Sequence, residues 1–210
     1  MKKTILSTFL MLLLTASISH AETKTPEQIK AEKAYHVKID NAQAIRDKAN
    51  EALSKDYEKY GVFHPTVAED YKAISEAYFT MGKYDESIEY ALNALKVEMK
   101  LQKEDDPSLA KLYFDTGNKY YMHKQHPTAI LYMKKAAQIY ENSAEKESLV
   151  LADTYEGIAS TFINLEDFRK SLVYGEKCLE IRTKKLKKED GTLQRAQMNV
   201  DYLKGKLKKK

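Results

Sequence analysis

The sequence predicts an all-α solenoid, with antiparallel helix pairs stacked one on the next. Three observations carry that reading. Glycine and proline number 7 and 4 in 210 residues, under half of their usual combined share of about 12%. A sandwich or barrel of many short strands needs more turn residues than that. Apolar residues recur at three- and four-residue spacing, the period of a helix with one buried face. The pattern also returns every 42 residues without a gap, as the triplets Ala68, Ala110, Ala152 and Tyr71, Tyr113, Tyr155 show. The same step joins Tyr78, Tyr120, Phe162; Tyr84, His126, Phe168; Ser87, Ala129, Ser171; Tyr90, Tyr132, Tyr174; and Val97, Ile139, Ile181. Such a period marks a repeat architecture, in which no unit buries its apolar face alone.

The chain opens on an address. Lys2 and Lys3 precede a mostly apolar stretch, Ile5 to Ala16, and Ser19-His20-Ala21 offers small residues to a signal peptidase. The apolar run is shorter than the roughly 18 residues of a membrane span. Residues 1–21 are therefore expected to be a signal peptide cleaved after Ala21. The mature chain is expected to be secreted across the inner membrane, into a bacterial periplasm. Residues 22–63 read as an N-terminal helical region. Thr25, Pro26 and Gln28 form a capping-box start. Ile45, Ala49, Ala52 and Leu53 stand 42 residues before Ser87, Ala91, Ala94 and Leu95, so a degenerate leading repeat is expected.

Three repeats follow, at 64–105, 106–147 and 148–191, each a pair of helices. In the first, Pro65 opens a helix with the stripe Ala68, Tyr71, Ile74, Ala77 and Tyr78. Gly82 ends it, and the stripe from Tyr84 to Val97 makes the second helix. Asp106 is the N-cap candidate before Pro107. Small residues sit mid-stripe, at Ser75, Gly117 and Ala159 in the first helix and Ala94, Ala136 and Cys178 in the second. Helices joined by a short turn must cross closely, and a bulky residue there would push them apart. Residues 192–210 form a last amphipathic helix, with Leu193, Ala196, Val200, Leu203 and Leu207 on one face and a polar outer face, as a capping element requires.

The pattern Tyr71, Ile74-Ser75, Tyr78, Gly82, Tyr84, Ser87 and Ala94-Leu95 resembles the tetratricopeptide repeat. His64-Pro65, Gly82-Lys83-Tyr84 and the 42-residue period are similar to the longer variant found in kinesin light chains. Thr116, His126, Leu149 and Gly175 depart from the consensus. The resemblance implies a right-handed superhelix whose inner surface is lined by first-helix residues outside the signature. By position these include Lys72, Glu76, Phe79, Phe114, Asn118, Tyr121, Met122, Ser160, Ile163 and Asn164. Phe79, Tyr121 and Ile163 share one column. This stripe suits a bound peptide or helix, with Asn118 able to hydrogen-bond a peptide backbone. Packing between neighbouring helices is the other reading of Phe79 and Tyr121. The Lys-Asn carboxylate clamp of chaperone-type repeats is not reproduced, because Glu76 stands in the asparagine's place.

Catalysis finds no support. No phosphate-binding glycine loop or nucleophile–base arrangement is present, and neither cofactor nor metal is expected. His123 and His126 lack a third ligand. Cys178, the single cysteine, falls in a small-residue column and reads as a packing thiol. Residues 182–210 are strongly basic, which fits a solvated cap or a contact with anionic lipid or an acidic partner. Nucleic acid is not expected of a secreted chain. The expected function is a non-catalytic adaptor or scaffold that binds a protein or peptide segment. The alternative is a structural subunit of a homo-oligomer or cell-envelope complex that assembles through the same surface.

Overall fold

The computed structural model describes residues 24–144 and 147–208, and among these it contains eight helices and no strand. The expected signal peptide, residues 1–21, lies outside the described residues. In chain order the helices are α1 Pro26–Tyr60, α2 Pro65–Thr80, α3 Tyr84–Leu101 and α4 Pro107–Met122. Then come α5 His126–Glu141, α6 Leu149–Asn164, α7 Phe168–Lys185 and α8 Gly191–Lys208. The chain divides into two compact units, up to Asp40 and from Asn41 onward. In the first, Thr25 and Gln28 form a reciprocal capping box. The Thr25 amide donates to Gln28 Oε1 at 2.7 Å, and the Gln28 amide donates to Thr25 Oγ1 at 3.2 Å.

In the second unit the 42-residue step governs backbone as well as sequence. The first helices of the pairs start at Pro65, Pro107, Leu149 and Gly191, and the second helices at Tyr84, His126 and Phe168. Each first helix is capped by the residue before it. His64, Asp106 and Ser148 accept hydrogen bonds from Thr66, Ser108 and Leu151 amides, and Asp190 does the same for Thr192. The turn between paired helices closes the same way three times. The amides of Lys83, Gln125 and Asp167 donate to the carbonyls of Tyr78, Tyr120 and Phe162 at 2.9–3.0 Å. This closure needs a left-handed residue, found at Gly82, Lys124 and Glu166 with φ of 73°, 62° and 56°. Only the first copy uses glycine there.

Paired helices touch almost backbone to backbone. Ser75 Oγ donates to the Ser87 carbonyl at 2.7 Å, and Ser87 Oγ donates to the Ser75 carbonyl at 2.8 Å. Ser171 Oγ repeats half of this arrangement, on the Ala159 carbonyl at 2.9 Å. In the middle copy a Cβ on Gly117 would lie 2.7 Å from Met133 Cγ and 3.2 Å from the Ala129 carbonyl oxygen. An aromatic trio flanks each crossing. Tyr90 packs on Tyr71 and Tyr78, Tyr132 on Tyr113 and Tyr120, and Tyr174 on Tyr155 and Phe162, with centroids 5.2–6.1 Å apart. Ala68, Ala110 and Ala152 are fully buried, as are Ile74 and Ile158.

The leading region takes the form of one long helix behind its capping box. The described residues there form one continuous 35-residue helix, α1, rather than a pair. The turn would fall at Asp40, 42 residues before Gly82. The crossing residues would be Lys33 and Ile45, in the columns of Ser75 and Ser87. Both are bulky, so the close crossing cannot form and the helix runs on. From Asn41 the helix nevertheless holds a second-helix place. Ala49 and Leu53 are buried with Val67, Ala68 and Ile74, whereas Ile45 is 54% exposed.

Helix α8 occupies the place of a fourth first helix. Its Ala196, Val200 and Leu203 are buried, and Val200 and Leu203 approach α7 at Gly175. The columns that face a second helix in the earlier copies hold Gln194, Gln197, Asp201 and Lys204, all exposed. This is where the polar outer face lies. The inner-surface columns carry Met198 and Tyr202, 71% and 55% exposed.

Two stability outcomes follow. Lys124→Gly and Glu166→Gly should each raise stability by about 0.5–1 kcal/mol, because glycine accepts the left-handed turn without Cβ strain. Gly117→Ala should cost about 1–3 kcal/mol through overpacking at the crossing. Urea midpoints measured by circular dichroism at 222 nm check both.

Candidate functional site

The helix period turns one face of α2, α4 and α6 toward a shared inner surface. Between α2 and α4 lies an open cleft of about 550 Å³, bounded by Glu76, Phe79, Lys119 and Met122. A second cleft, of about 410 Å³ between α4 and α6, is bounded by Phe114, Glu156, Gly157 and Ser160. Asn118 and Tyr121 line both, so the two clefts adjoin along α4. Gly157 keeps the second cleft open. A Cβ there would lie 3.2 Å from the Phe114 ring and 3.3 Å from Met133 Sδ.

The sequence-predicted residues divide among several places. Glu76, Phe79, Asn118, Tyr121 and Met122 come together in the first cleft, and Phe114, Asn118, Tyr121 and Ser160 in the second. Phe79 and Tyr121 combine the two roles left open by the sequence. Each lines a cleft and each packs a ring, Phe79 on Tyr84 at 5.7 Å and Tyr121 on His126 at 5.6 Å. Ile163 lies in a narrower space of about 20 Å³, which Asn199 and Leu203 of α8 help to enclose. Lys72 is held by Glu69 and Glu98, the latter at 3.1 Å. Asn164 is exposed at the end of α6 and lines none of these clefts.

Sequence reasoning missed Lys119. Its side chain is almost wholly buried, yet its ammonium reaches Glu76 at 3.1 Å and stands 4.8 Å from the Phe79 ring centroid. The signal was available: Lys119 occupies a column that is Ala77 and Thr161 in the other copies. A lysine in a small-residue column has to reach out of the core to a partner. Asp115, paired with Lys111 at 2.6 Å, was missed as well.

One position pair changes character along the stack. Lys72 meets Glu98 at 3.1 Å in the first copy, and Glu156 meets Arg182 at 2.7 Å in the third. The spacing is the same, with the sign reversed. Phe114 and Tyr140 hold these positions in the middle copy. Arg182 is 2% exposed and also donates to Asp153 and to the Thr192 carbonyl. Burial works against the charge on Arg182, but its bonds to Glu156 and Asp153 outweigh that and raise its pKa. For Glu156 burial favours the neutral acid, yet bonds from Arg182 and Arg195 prevail and hold its carboxyl below the usual range.

Burial pushes the Cys178 thiol up to about 11, which makes it inert as a nucleophile at neutral pH. His126 Nδ1 is buried without a hydrogen bond, and the ring serves as the aromatic entry of α5. Among the described residues no group of three or more His, Cys, Asp or Glu side chains could hold a metal ion.

The Glu156 network makes stability depend on acid. A carboxyl whose pKa is depressed by folding stabilises the fold above its unfolded pKa of about 4.3. That stabilisation is lost as pH falls through the lower folded value. The urea midpoint of the native chain should therefore drop between pH 6 and pH 3. Glu156→Gln should be less stable at pH 6 and show a flatter profile over that range.

Residues 70–142 match the tetratricopeptide repeat family model. No curated protein matches the chain. Among solved structures, a Podosopora anserina protein with nearly identical TPR-like repeats of kinesin-light-chain type aligns with a TM-score of 0.70 at 14% identity, covering 87% of each chain. BtubC (BKLC) from P. vanneervenii aligns at 0.61 and 16% identity, over 81% of this chain and 83% of that one. MamA aligns at 0.55 and 18% identity, over 79% and 81%. At these identities the likeness is one of fold.

Proposed function

We propose that this chain, a tetratricopeptide-repeat protein similar in fold to kinesin light chains, is a non-catalytic adaptor that binds a protein segment along its α2–α4–α6 face. Repeat folds of this kind are typical of protein–protein interaction scaffolds. The observation that carries the reading is the pair of adjoining clefts that share Asn118 and Tyr121. Their floors offer Phe79, Tyr121 and Phe114 as apolar anchors. Among the described residues the Asn118 side chain makes no hydrogen bond, and it can pair with a peptide backbone. Flanking charges are already paired inside the protein, as Glu76–Lys119, Lys111–Asp115 and Glu156–Arg182. The clefts therefore favour an apolar or amide-rich segment over a strongly charged one.

The features of Met1–Ala21 support export to the periplasm. Among the described residues no helix is long and apolar enough to cross a membrane. On this reading the purified mature protein begins at Glu22. Amino-terminal sequencing and fractionation check that, and a cytoplasmic chain beginning at Met1 would refute it.

Phe79→Ala combined with Tyr121→Ala tests the binding face. Segments selected from a displayed peptide library against the native protein should bind the double variant at least about 30-fold more weakly, the loss expected for two anchors of a binding hot spot. The helical spectrum should be unchanged. Equal binding by the variant would refute the proposal. A native dimer that the double variant dissociates would instead favour the structural-subunit reading.

A further inference from the structure

Away from the inner surface, an open cleft of about 430 Å³ lies between the end of α3, the following loop and α5, with Met99, Leu109 and Ile139 as its apolar lining. The 42-residue step gives Met99, Asp105, Tyr113, Lys135, Gln138 and Asn142 counterparts in the third copy, and there these are joined by bonds. Glu141 accepts a hydrogen bond from the Tyr155 hydroxyl and pairs with Lys177 at 3.2 Å. Lys177 stands 4.9 Å from the Tyr155 ring centroid. Lys184 pairs with Glu147 at 3.5 Å and with Glu180 at 2.9 Å.

In the second copy these pairs are broken: three have lost one member, and the counterpart of Lys184–Glu180 has lost both. Met99 stands for Glu141, so the Tyr113 hydroxyl meets only a thioether, at 3.5 Å. Lys135, the counterpart of Lys177, keeps its place over the ring at 5.3 Å but has no ion pair among the described residues. Asn142 stands for Lys184 and Gln138 for Glu180, so among the described residues Asp105 has no cation partner. Glu104 adds a second carboxylate at the same rim that has no ion pair among the described residues. The result, among the described residues, is a half-network: one cation and two anions without ion pairs around an apolar floor on which Met99 is 49% exposed.

We propose that this cleft docks a segment of another protein that supplies the missing halves. The segment brings a carboxylate to Lys135 and the Tyr113 hydroxyl, a cation to Asp105 and Glu104, and an apolar side chain between them to Met99. Charge complementarity argues for it. The third copy shows which groups satisfy these positions, and only a segment bearing both signs satisfies them together. The surface is separate from the α2–α4–α6 face, so the two sites stand or fall independently.

The test uses fluorescein-labelled eight-residue peptides on an alanine–serine background. Each carries one Glu and one Lys separated by one to four residues, with Leu between them. At least one spacing should give saturable anisotropy with the full-length protein and a shift of the Met99 methyl resonance. Lys135→Glu, and separately Asp105→Lys, should weaken that peptide at least tenfold. Lys135→Ala, at an exposed position, guards against misfolding and should also weaken it. Met99→Glu with Asn142→Lys installs the third copy's network and should abolish binding without lowering the melting temperature. The proposal is overturned if no spacing saturates with a Met99 shift, or if the network variant binds as well as the native protein. It is equally overturned if sedimentation shows a dimer that Lys135→Glu dissociates, because the occupant is then a second copy of this chain.

Discussion

The close crossing of paired helices is the constraint on which the rest of this structure depends. At Ser75–Ser87, Gly117–Ala129 and Ala159–Ser171 the backbones approach until only a hydroxyl, a hydrogen or a methyl fits between them. That approach sets the pair angle and packs the aromatic trios on either side. It also fixes the direction in which the next pair must stack. Where the crossing residues turn bulky, at Lys33 and Ile45, no pair forms and α1 stays a single helix. Hydroxyls at the crossing add direction to fit. Each serine donates to a carbonyl of the opposite helix, a net gain of about 1 kcal/mol per bond that also fixes the helices against sliding.

With the crossing fixed, variation moves to positions that it leaves free. The pair at 72/98, 114/140 and 156/182 runs from lysine–glutamate through two aromatics to glutamate–arginine. Each pair lies within one hairpin, and exchanging a helix for its counterpart one unit away would set a charge against an aromatic ring instead of its ion partner. Similar variation shapes the surface. The hydroxyls of Tyr71, Tyr113 and Tyr155 each reach back 14 residues, and they find in turn a tyrosine hydroxyl, a methionine sulfur and a carboxylate.

Most of the fold was legible in the sequence, because the features that build it repeat. Three copies of Tyr71, Ser87 and Tyr90 expose a period that one copy would hide. Pro65, Asp106 and Gly82 mark boundaries by chemistry that acts within a few residues. In the leading helix Ala49 and Leu53 match the second-helix columns, while the departures that set it apart, Lys33 and Ile45, lie in columns whose meaning is spatial. The inner surface was only partly legible for the same reason. Register set Phe79, Asn118 and Tyr121 on one face of α2 and α4, where they line the adjoining clefts. It could not show that Lys119 leaves its small-residue column to meet Glu76, or that α8 narrows the space around Ile163. Side-chain reach and the position of the last helix are tertiary facts.

The polar columns of α8 have a consequence for how such a chain can change in length. Gln194, Gln197, Asp201 and Lys204 stand where Ala152, Tyr155, Ala159 and Phe162 stand one unit earlier. The capping character of α8 thus resides in a handful of side chains, while its backbone and its buried face remain those of an ordinary unit. A duplicated 42-residue cassette inserted before Gly191 would meet α7 through the same contacts that α8 makes now, and would present α8 with the same surface in turn. Growth or shortening by whole units then requires no redesign of either neighbour. A polar-faced unit of this kind is a reusable part, and the number of units becomes a variable separate from the fold.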